Sequence, residues 1–315
     1  MSMNKIIVAG SILVDHINAI DAYPSAGELT QIRSVTKVPG GLVPNTGRDI
    51  RLLSPDIPVW AFGSVGDDAD GRFVSGELEK AGMTLRLAVE KTSTTSFTEV
   101  MSVTGGERTF FTYPGASAEW GYEKFPFDDI QAGDLVLLGY FLLLPRIDNG
   151  DGLKILKELK RRGAKTAIDL VTENSDRYGR VRECLPFVDY LIVNETEAAR
   201  IVGKELPFED LCTELLALGV NERVVIHAPE RGVTCARGGA PVSEPSCKLP
   251  ADFIKGKTGA GDAYCAGALV AIWKGFAERD ILRTGAVAAV GALSAPGATD
   301  GVKSLAELQE MVAGF

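Results

Sequence analysis

The alternation of short apolar runs with helical patterns constrains the fold of this chain more than any other feature. From residue 134 onward, runs rich in Val, Ile and Leu are separated by segments in which apolar residues recur with helical spacing. Strands separated by helices form parallel βαβ units, in which helices cover both faces of the sheet. We therefore expect a covered parallel sheet. The predicted strands are 134–140, 164–171, 188–194 and 222–228, and the predicted helices are 151–162, 195–203, 208–218, 260–275 and 278–294.

The N-terminal part follows the same alternation up to residue 84. The apolar run Lys5 to Val14 and the segment 58–66 predict buried strands, and helical patterns follow at 45–53 and 68–81. Between 84 and 113 the pattern becomes strand-like throughout, which predicts a small antiparallel sheet inserted into the alternating chain. With neither a low-complexity linker nor an internal repeat in the sequence, we expect residues 1–315 to form one domain.

Composition and charge narrow the classes of partner. The formal net charge of −9 argues against a nucleic-acid partner, because binding to a phosphate backbone normally requires a basic excess. The most apolar run, Leu135 to Leu144, is shorter than the roughly 20 residues that span a bilayer. We read the N-terminal run as a first strand rather than a signal peptide, because it meets Asp15 early. Five scattered cysteines without a CxxC pair are typical of reduced thiols, so we expect a cytoplasmic protein without a membrane partner.

Two phosphate-binding patterns overlap in residues 255–262, KGKTGAGD. The first resembles the end of a P-loop, but Ala251 stands where that loop requires its first glycine. A dinucleotide fingerprint fails as well, because Tyr264 occupies its third glycine position. What remains is a glycine turn that opens a helix, whose free N–H groups can bind an anion. The alternative is that Asp262 is only a favourable charge at the start of a buried helix.

Four segments, in this order, resemble the ribokinase-like (PfkB) carbohydrate kinase family over nearly the full length of the chain. They are VAGSILVD (8–15), GGLVPNTG (40–47), NETEAARIVG (194–203) and TGAGDAYCAGAL (258–269). The resemblance implies an α/β fold of the ribokinase-like three-layer α/β/α type, with a mainly parallel central sheet. It also implies a small antiparallel β-lid, built from segments near 16–38 and 84–113.

The same resemblance assigns the catalytic turn. It implies that Gly259, Ala260, Gly261 and Asp262 form an anion hole for the transferred phosphoryl group, and that Asp262 is the catalytic base. Phosphoryl transfer depends mainly on positioning and electrostatics, which a carboxylate and a set of backbone amides can supply.

For ATP and Mg²⁺, the resemblance implies that Asn194 and Glu197 organise the metal and phosphates, with Glu197 acting through water. Asn194 alternatively caps the helix that follows it. Thr258 and Gly232 are expected at the nucleotide, although Pro229 stands where the family carries a glycine.

For the sugar, the resemblance implies contacts from Asp15, Gly40, Gly41 and Asn45, since a carboxylate and an amide suit a polyhydroxylated ligand. The alternatives are a turn at a strand end for Asp15 and a helix cap for Asn45. Arg108 on the lid is expected to reach a substrate hydroxyl or phosphate, with an exposed ion pair as the alternative.

Two departures from the family bear on activation and substrate. Gly256 and Lys257 replace the usual Asp-Thr pair, which weighs against activation by a monovalent cation and raises the hypothesis that Lys255 or Lys257 supplies an ammonium group instead. Residues 168–174 lack the DxNxR pattern of fructokinase and ketodeoxygluconate kinase relatives.

The sequence thus favours an ATP-dependent kinase that phosphorylates a hydroxyl of a sugar or sugar derivative. A nucleoside kinase of the same fold and a catalytically impaired sugar-binding protein remain the alternatives, and no dinucleotide fingerprint supports an oxidoreductase. Because exposed lid edges need covering, we also expect a homodimer through the β-lid.

Overall fold

A computed structural model describes residues 3–103, 108–173 and 176–315. Its central sheet has nine strands, in the order β13-β12-β11-β10-β9-β8-β1-β4-β5, and a second sheet has the order β3-β2-β6-β7. The strands are β1 Ile6–Ala9, β2 Leu13–Ile20, β3 Ile32–Gly40, β4 Val59–Gly66, β5 Thr84–Glu90, β6 Ser96–Val103, β7 Arg108–Tyr113, β8 Leu135–Phe141, β9 Lys165–Leu170, β10 Tyr190–Asn194, β11 Arg223–His227, β12 Arg231–Ala236 and β13 Val242–Pro245.

Helices cover both faces of the central sheet, as the alternating pattern predicted. One face packs against α1, α2, α8, α9 and α10, and the other against α4 to α7. The α-helices are α1 Leu42–Leu53, α2 Ala69–Lys80, α3 Gly115–Ala118, α4 Gly152–Arg161, α5 Gly179–Cys184, α6 Glu195–Val202, α7 Phe208–Ala217, α8 Ala260–Trp273, α9 Glu278–Leu293 and α10 Leu305–Ala313. Alternation along each strand divides the core: Ile6 and Val8 face one helical layer, while Ile7 and Ala9 face the other.

Seven strands of the central sheet, from β11 to β5 in the sheet order, run parallel. An antiparallel hairpin formed by β12 and β13 extends the sheet at one edge. The parallel strands and helices predicted from residue 134 onward are confirmed, with ends that differ by a few residues. The run from Lys5 to Val14, predicted as one strand, is divided: β1 ends at Ala9, and Leu13 begins β2 of the second sheet. The three-layer α/β/α class implied by the sequence is confirmed as well.

The second sheet, which we call the lid, consists of β2, β3, β6 and β7. Its outer pairs are antiparallel, whereas β2 and β6 run parallel to each other. The expectation that the lid begins at residue 84 is wrong for β5, because this strand pairs in parallel with β4 at the edge of the central sheet. The sequence pattern did not distinguish the two sheets, because an edge strand is half exposed and shows the same mixture of apolar and polar residues as a lid strand.

Helix α8 fixes the position of the glycine turn that precedes it. Nearly all of its residues are buried, because it lies between α1 and α9. A Cβ on Gly267 would lie 2.5 Å from the carbonyl oxygen of Thr284, so α8 and α9 pack with their backbones in close approach. A helix buried on all sides has little freedom to shift, which holds its first turn in a defined place.

None of the helices in residues 3–103, 108–173 and 176–315 is long and apolar enough to cross a bilayer. That the whole chain forms one domain remains our proposal. It is supported by apolar clusters that run the length of the central sheet on each face.

Candidate active site

The candidate site lies where the carboxyl ends of the central parallel strands meet the first turn of α8. Gly259 caps this helix with a left-handed φ of 79°, and a Cβ there would lie 2.5 Å from the carbonyl oxygen of Ala298. Only glycine fits both conditions. The N–H of Ala260 contacts the carbonyl oxygen of Lys257 at 3.4 Å, so Gly261 and Asp262 supply the N–H groups that have no acceptor one turn earlier.

Asp262 is buried and carries two hydrogen bonds on one carboxylate oxygen. Asn45 Nδ2 and Tyr140 Oη each donate to Asp262 Oδ2 at 2.9 Å. Burial raises the pKa of Asp262 from 3.8 to about 6, and the two hydrogen bonds oppose this rise by stabilising the charged form. A carboxylate with a pKa just below neutrality is suited to accept a proton at physiological pH.

The turn between β3 and α1 brings the predicted sugar-binding residues together. A Cβ on Gly40 would lie 2.5 Å from Asp15 Oδ2, and Gly41 has a φ of 89° against the backbone of Ser11. Glycine at 40 therefore lets the chain pass close to Asp15, and glycine at 41 lets it pass close to Ser11. Gly41 itself is the N-cap of α1 and Asn45 lies inside the helix, so the alternative interpretation of Asn45 as a cap is wrong.

Asp15 lies inside β2, beside Val38 and Thr98, and not at a strand-end turn. Burial raises its pKa to about 6, against the lowering effects of a hydrogen bond from Thr98 and the nearby His16. Thr112 is the β7 residue in the same row, whereas Arg108 is exposed and pairs with Ser102. Four residues of strand place Arg108 roughly 13 Å further along the lid. The structure thus does not bring Arg108 beside Asp15, because β7 continues past the site.

Asn194 and Glu197 form a capping box at the start of α6. Glu197 N donates to Asn194 Oδ1 at 2.9 Å, and Asn194 N donates to Glu197 Oε2 at 3.1 Å. Thr172 Oγ1 donates to Glu197 Oε1 at 2.8 Å. The capping interpretation of Asn194 is therefore confirmed, and the same two residues also line a cavity of about 290 Å³ together with Asp262 and Gly261.

The oxygen donors at this cavity suit Mg²⁺ through water rather than through a closed shell of protein ligands. Both oxygens of Glu197 already accept protein hydrogen bonds. Among the described residues there is no group of three or more His, Cys, Asp or Glu side chains able to hold a metal ion. Mg²⁺ binds oxygen and usually keeps several waters, so Glu197 and Asn194 fit a hydrated ion that arrives with a nucleotide.

A second cleft, of about 450 Å³, adjoins the glycine turn. Lys257, Ala260 and Gly261 line it, and Asn194, His227 and Gly261 line the smaller cavity as well. An apolar wall comes from α9. The remaining lining residues are Glu195, Thr196, Ala228, Pro229, Ser246, Cys247, Leu249, Ile254, Tyr264, Ala286, Ala289, Val290 and Leu293.

Two residues expected at the nucleotide, Gly232 and Thr258, are not among the lining residues of these two cavities, and their role stays a prediction. Gly232 is buried within β12, where a Cβ would lie 2.6 Å from Tyr264 Oη, so it supports that ring from behind and does not line the cleft. Gly232 lies directly opposite His227 in the β11–β12 pair. Thr258 is exposed beside the turn and is not among the residues lining either cavity.

Sequence reasoning missed four polar residues near Asp262. Tyr140 contacts Asp262 directly, and Asp169 accepts the N–H of Tyr140 at 3.1 Å. Asp49 is fully buried, and neither of its oxygens has a hydrogen-bond partner within the described residues. His227 stacks on Tyr264, with ring centroids 4.6 Å apart.

Burial, and then the charge of Asp262, raises the pKa values of Asp49 and Asp169 well above 3.8. Burial alone lowers the pKa of His227 to about 4, so its ring is neutral. A carboxylate on the apolar face of α1, one turn after Asn45, was the signal that could have identified Asp49.

Comparison with known proteins defines the class of this chain. A model described as pfkB family carbohydrate kinase matches residues 3–305, so the chain belongs to this family. A ribokinase of Lactococcus lactis is 27% identical over 313 residues, covering 98% of this chain and 96% of the relative. An adenosine kinase of Dictyostelium discoideum is 24% identical and covers 87% of this chain and 90% of that relative.

Solved structures agree with this class. A ribokinase from Thermotoga maritima superimposes with a TM-score of 0.82 at 20% identity, covering 99% of this chain and 100% of that one. A ribokinase from Arabidopsis thaliana, complexed with ribose and ATP, gives 0.80 at 22% identity over 98% of this chain and 99% of that one. At these identities the structures establish the fold, and the family match establishes a carbohydrate kinase. Both expectations from the sequence are confirmed.

Proposed function

We propose that this protein transfers the γ-phosphoryl group of ATP to a hydroxyl of a sugar or sugar derivative, with Asp262 as the base. The observation that carries the proposal is the position of Asp262, at the first turn of a buried helix with a pKa of about 6. Its glycine turn contributes to two cavities, one that Glu197 also lines and one with an apolar wall. The named ribokinase relatives support both the acceptor class and the use of ATP.

In the proposed reaction, the acceptor hydroxyl gives its proton to Asp262 as its oxygen attacks the γ-phosphorus. The bond between that phosphorus and the β–γ bridging oxygen breaks, ADP leaves, and Asp262 later releases the proton to water. The N–H groups of Gly261 and Asp262 face the charge that develops on the transferred group. Mg²⁺ bound with the nucleotide would neutralise phosphate charge. Asn194 and Glu197 would hold its water ligands.

On the acceptor side, we assign sugar contacts to Asp15, Gly40, Gly41 and Asn45. Gly40 leaves room beside Asp15, and Asn45 Nδ2 donates to Asp262 Oδ2 at 2.9 Å. A carboxylate and an amide offer both acceptors and donors to a polyol. Asp15 and Asp262 together are expected to bracket a hydroxyl-rich ligand.

A panel assay tests the proposed function. ATP turnover would be followed against pentoses, hexoses, sugar phosphates and nucleosides, with binding of each acceptor measured in parallel. Phosphorylation of a sugar supports the proposal. Turnover confined to nucleosides would identify a nucleoside kinase, a class to which the adenosine kinase relative belongs. Sugar binding without turnover across the panel would identify a binding protein instead.

Lys257 is proposed to supply positive charge beside the phosphates in place of a monovalent cation. It lines the larger cleft next to Ala260, whereas Lys255 Nζ donates to the carbonyl oxygen of Asp252 at 2.8 Å. A Cβ on Gly256 would lie 2.8 Å from the carbonyl oxygen of Ala295, so this position has no room for an acidic side chain without rearrangement.

We expect Lys257→Ala to lower kcat by about tenfold, the effect of losing one charge-assisted contact. Lys255→Ala is the matched control and should keep the wild-type rate. Initial rates at varied potassium concentration complete the measurement, and stimulation of the wild-type enzyme by potassium would contradict this assignment.

We further propose a homodimer formed through the lid and a cytoplasmic location. The two edge strands of the lid expose large apolar side chains, and paired lids would cover them. These side chains are Ile32, Val35, Phe110, Phe111 and Tyr113. All five cysteines are free thiols, which fits a reducing compartment. A negative net charge continues to argue against a nucleic-acid partner.

A further inference from the structure

Tyr140 has an unusual backbone conformation at the end of β8. Its φ is 56°, in the left-handed region that residues with a side chain rarely adopt. The pairing of β8 with β9 is irregular between Leu138 and Phe141, so Tyr140 lies where the regular strand pairing is interrupted. Such irregularities redirect side chains beside active sites, and the strain is retained only where surrounding contacts enforce it.

One hydrogen bond and one close backbone approach, both to Asp169, accompany this conformation. The N–H of Tyr140 donates to Asp169 Oδ1 at 3.1 Å, and a Cβ on Gly139 would lie 2.8 Å from the same oxygen. Asp169 is buried on the adjacent strand β9. The glycine before Tyr140 thus allows β8 to approach Asp169, and Asp169 fixes the backbone that points the phenol toward α8.

The phenol reaches the same carboxylate oxygen as Asn45. Tyr140 Oη and Asn45 Nδ2 both donate to Asp262 Oδ2 at 2.9 Å. Within the described residues, both of these hydrogen bonds go to Oδ2, and none goes to Asp262 Oδ1. Tyr140 also lines the cavity that contains Asp262 and Gly261. Two donors on one oxygen define the rotation of the carboxylate about its Cβ–Cγ bond.

We propose that Tyr140 is a positioning residue that holds the Asp262 carboxylate with Oδ2 bound to the protein and Oδ1 presented to the acceptor hydroxyl. The part of this inference that concerns the acceptor rests on the proposed function. The contact between Tyr140 and Asp262 does not.

The hydrogen bond from the Tyr140 hydroxyl lowers the pKa of Asp262, whereas other buried groups around Asp262 oppose its ionisation. Asp49 on α1 and Asp169 on β9 are buried nearby, and any charge on them would disfavour the Asp262 carboxylate. The Cys265 thiol on α8 is held neutral by burial, which raises its pKa. Asn45 and Tyr140 are thus the two groups whose side-chain hydrogen bonds lower the pKa of Asp262. Loss of the phenol should shift the Asp262 titration upward.

The test measures Asp262 directly and does not depend on catalysis. The full-length protein would be labelled with ¹³C at the aspartate carboxyl carbons, and its titration followed by NMR, with Asp262→Asn identifying the signal. Tyr140→Phe should raise the Asp262 pKa by about one pH unit, the effect of one hydrogen bond to a charged group. An unchanged pKa would overturn the proposal, whatever the variant's activity.

Tyr190→Phe is the matched control. Tyr190 Oη also donates to a carboxylate, that of Glu222, and it belongs to β10 at the opposite end of the strand from the site. The same hydroxyl is removed there, so Tyr190→Phe should leave the Asp262 titration unchanged. An equal shift in both variants would show a general effect of instability and overturn the proposal.

A second variant keeps the ring hydroxyl. 3-Fluorotyrosine at position 140 has a more acidic phenol and is a stronger donor, so the Asp262 pKa should fall below its wild-type value. If Tyr140→Phe does not fold, a fall with fluorotyrosine still supports the proposal, and no change overturns it. In an active enzyme, the acid limb of kcat/KM should move in the same direction as each titration. If the Asp262 titration shifts in the variants as expected but the wild-type protein phosphorylates no acceptor, the role of Tyr140 is retained and the proposed function is refuted.

Discussion

At the scale of single residues, the site combines burial with a small number of directed hydrogen bonds. Asp262 is 7% exposed, yet two neutral donors stabilise its charge. Burial dominates, so the pKa rises to about 6 rather than falling. A carboxylate with this pKa is ionised at neutral pH, and its ionisation lowers the free energy of unfolding.

The sign of this linkage follows from the raised pKa. Asp262 has a higher pKa in the folded state than the unfolded value of 3.8, so the folded state binds the proton more tightly. The associated stability is complete below about pH 4 and is lost as pH rises through about 6. Asp15 follows the same direction, with a pKa also raised to about 6.

Asp262→Asn is expected to lower activity while raising the stability of the fold at pH 8. Loss of the base should lower kcat by about 10² to 10⁴. At pH 8 the variant should be more stable than wild type by about 1–3 kcal/mol, because no buried carboxylate needs to ionise. Initial rates and chemical denaturation at pH 8 and pH 5 test this, and the stability difference should shrink at pH 5. Turnover near the wild-type rate would contradict the assignment of Asp262.

At the scale of elements, the two ends of α8 provide an internal comparison. Gly259 precedes the helix with φ of 79°, and Gly275 follows it with φ of 70°. Both conformations disfavour a side chain. A Cβ on Gly259 would meet the carbonyl oxygen of Ala298 at 2.5 Å, whereas nothing lies within 4 Å of one on Gly275. A side chain would therefore strain the left-handed backbone at both glycines, but only at Gly259 would its Cβ also collide with a neighbouring atom.

Gly259→Ala should consequently cost more than Gly275→Ala. We expect about 1 kcal/mol of destabilisation for Gly275→Ala, from backbone strain. Gly259→Ala should cost a further 1–3 kcal/mol or so, and should lower kcat by displacing the N–H groups of the first turn. Thermal unfolding and steady-state kinetics of both variants provide the measurement. Equal kcat values would show that the turn does not position the reacting groups.

At the scale of the whole molecule, a small polar network joins the lid to the body. His16 on β2 lies between two carboxylates: Nδ1 is 2.8 Å from Glu99 Oε1, and Nε2 is 3.1 Å from Asp70 Oδ2. Glu99 belongs to the lid and Asp70 to α2, and Lys37 Nζ donates to Asp70 Oδ1 at 2.7 Å. His16 directly follows Asp15, the proposed sugar-binding residue, in β2.

His16→Ala should loosen the lid and raise the KM for the acceptor by several-fold, with a smaller effect on the KM for ATP. The physical reason is that a lid less firmly held presents Asp15 less often in a binding geometry. Arg33→Ala is the control, because Arg33 pairs with Asp21 on an exposed part of the lid and should change neither constant. A common change in both KM values would show that His16 supports the fold rather than the lid.

How much was predictable from the sequence differs between elements. Strands β8 to β11 and the helices between them were predicted because a strand buried on both faces must be apolar throughout. The turn at 259–262 was also predicted, because its glycines and helix start are local in sequence. Strand β5 was assigned to the wrong sheet, because the pairing of an exposed strand depends on residues distant in the chain. The role of Arg108 at the substrate stays a prediction, and its position on β7 is four residues from the row of Asp15.

The sequence by itself thus determined the fold class, the family and the identity of the candidate base, since each depends on a local pattern of spacing and residue type. Only the tertiary structure decided the surroundings of that base. Asn45, Tyr140 and Asp262 lie on three elements separated by about a hundred residues or more, and Asp49 is polar without a local reason. Their contacts exist because α1, β8 and α8 pack together in the core. Side-chain distance across packed elements is a property of the fold, and no local pattern encodes it.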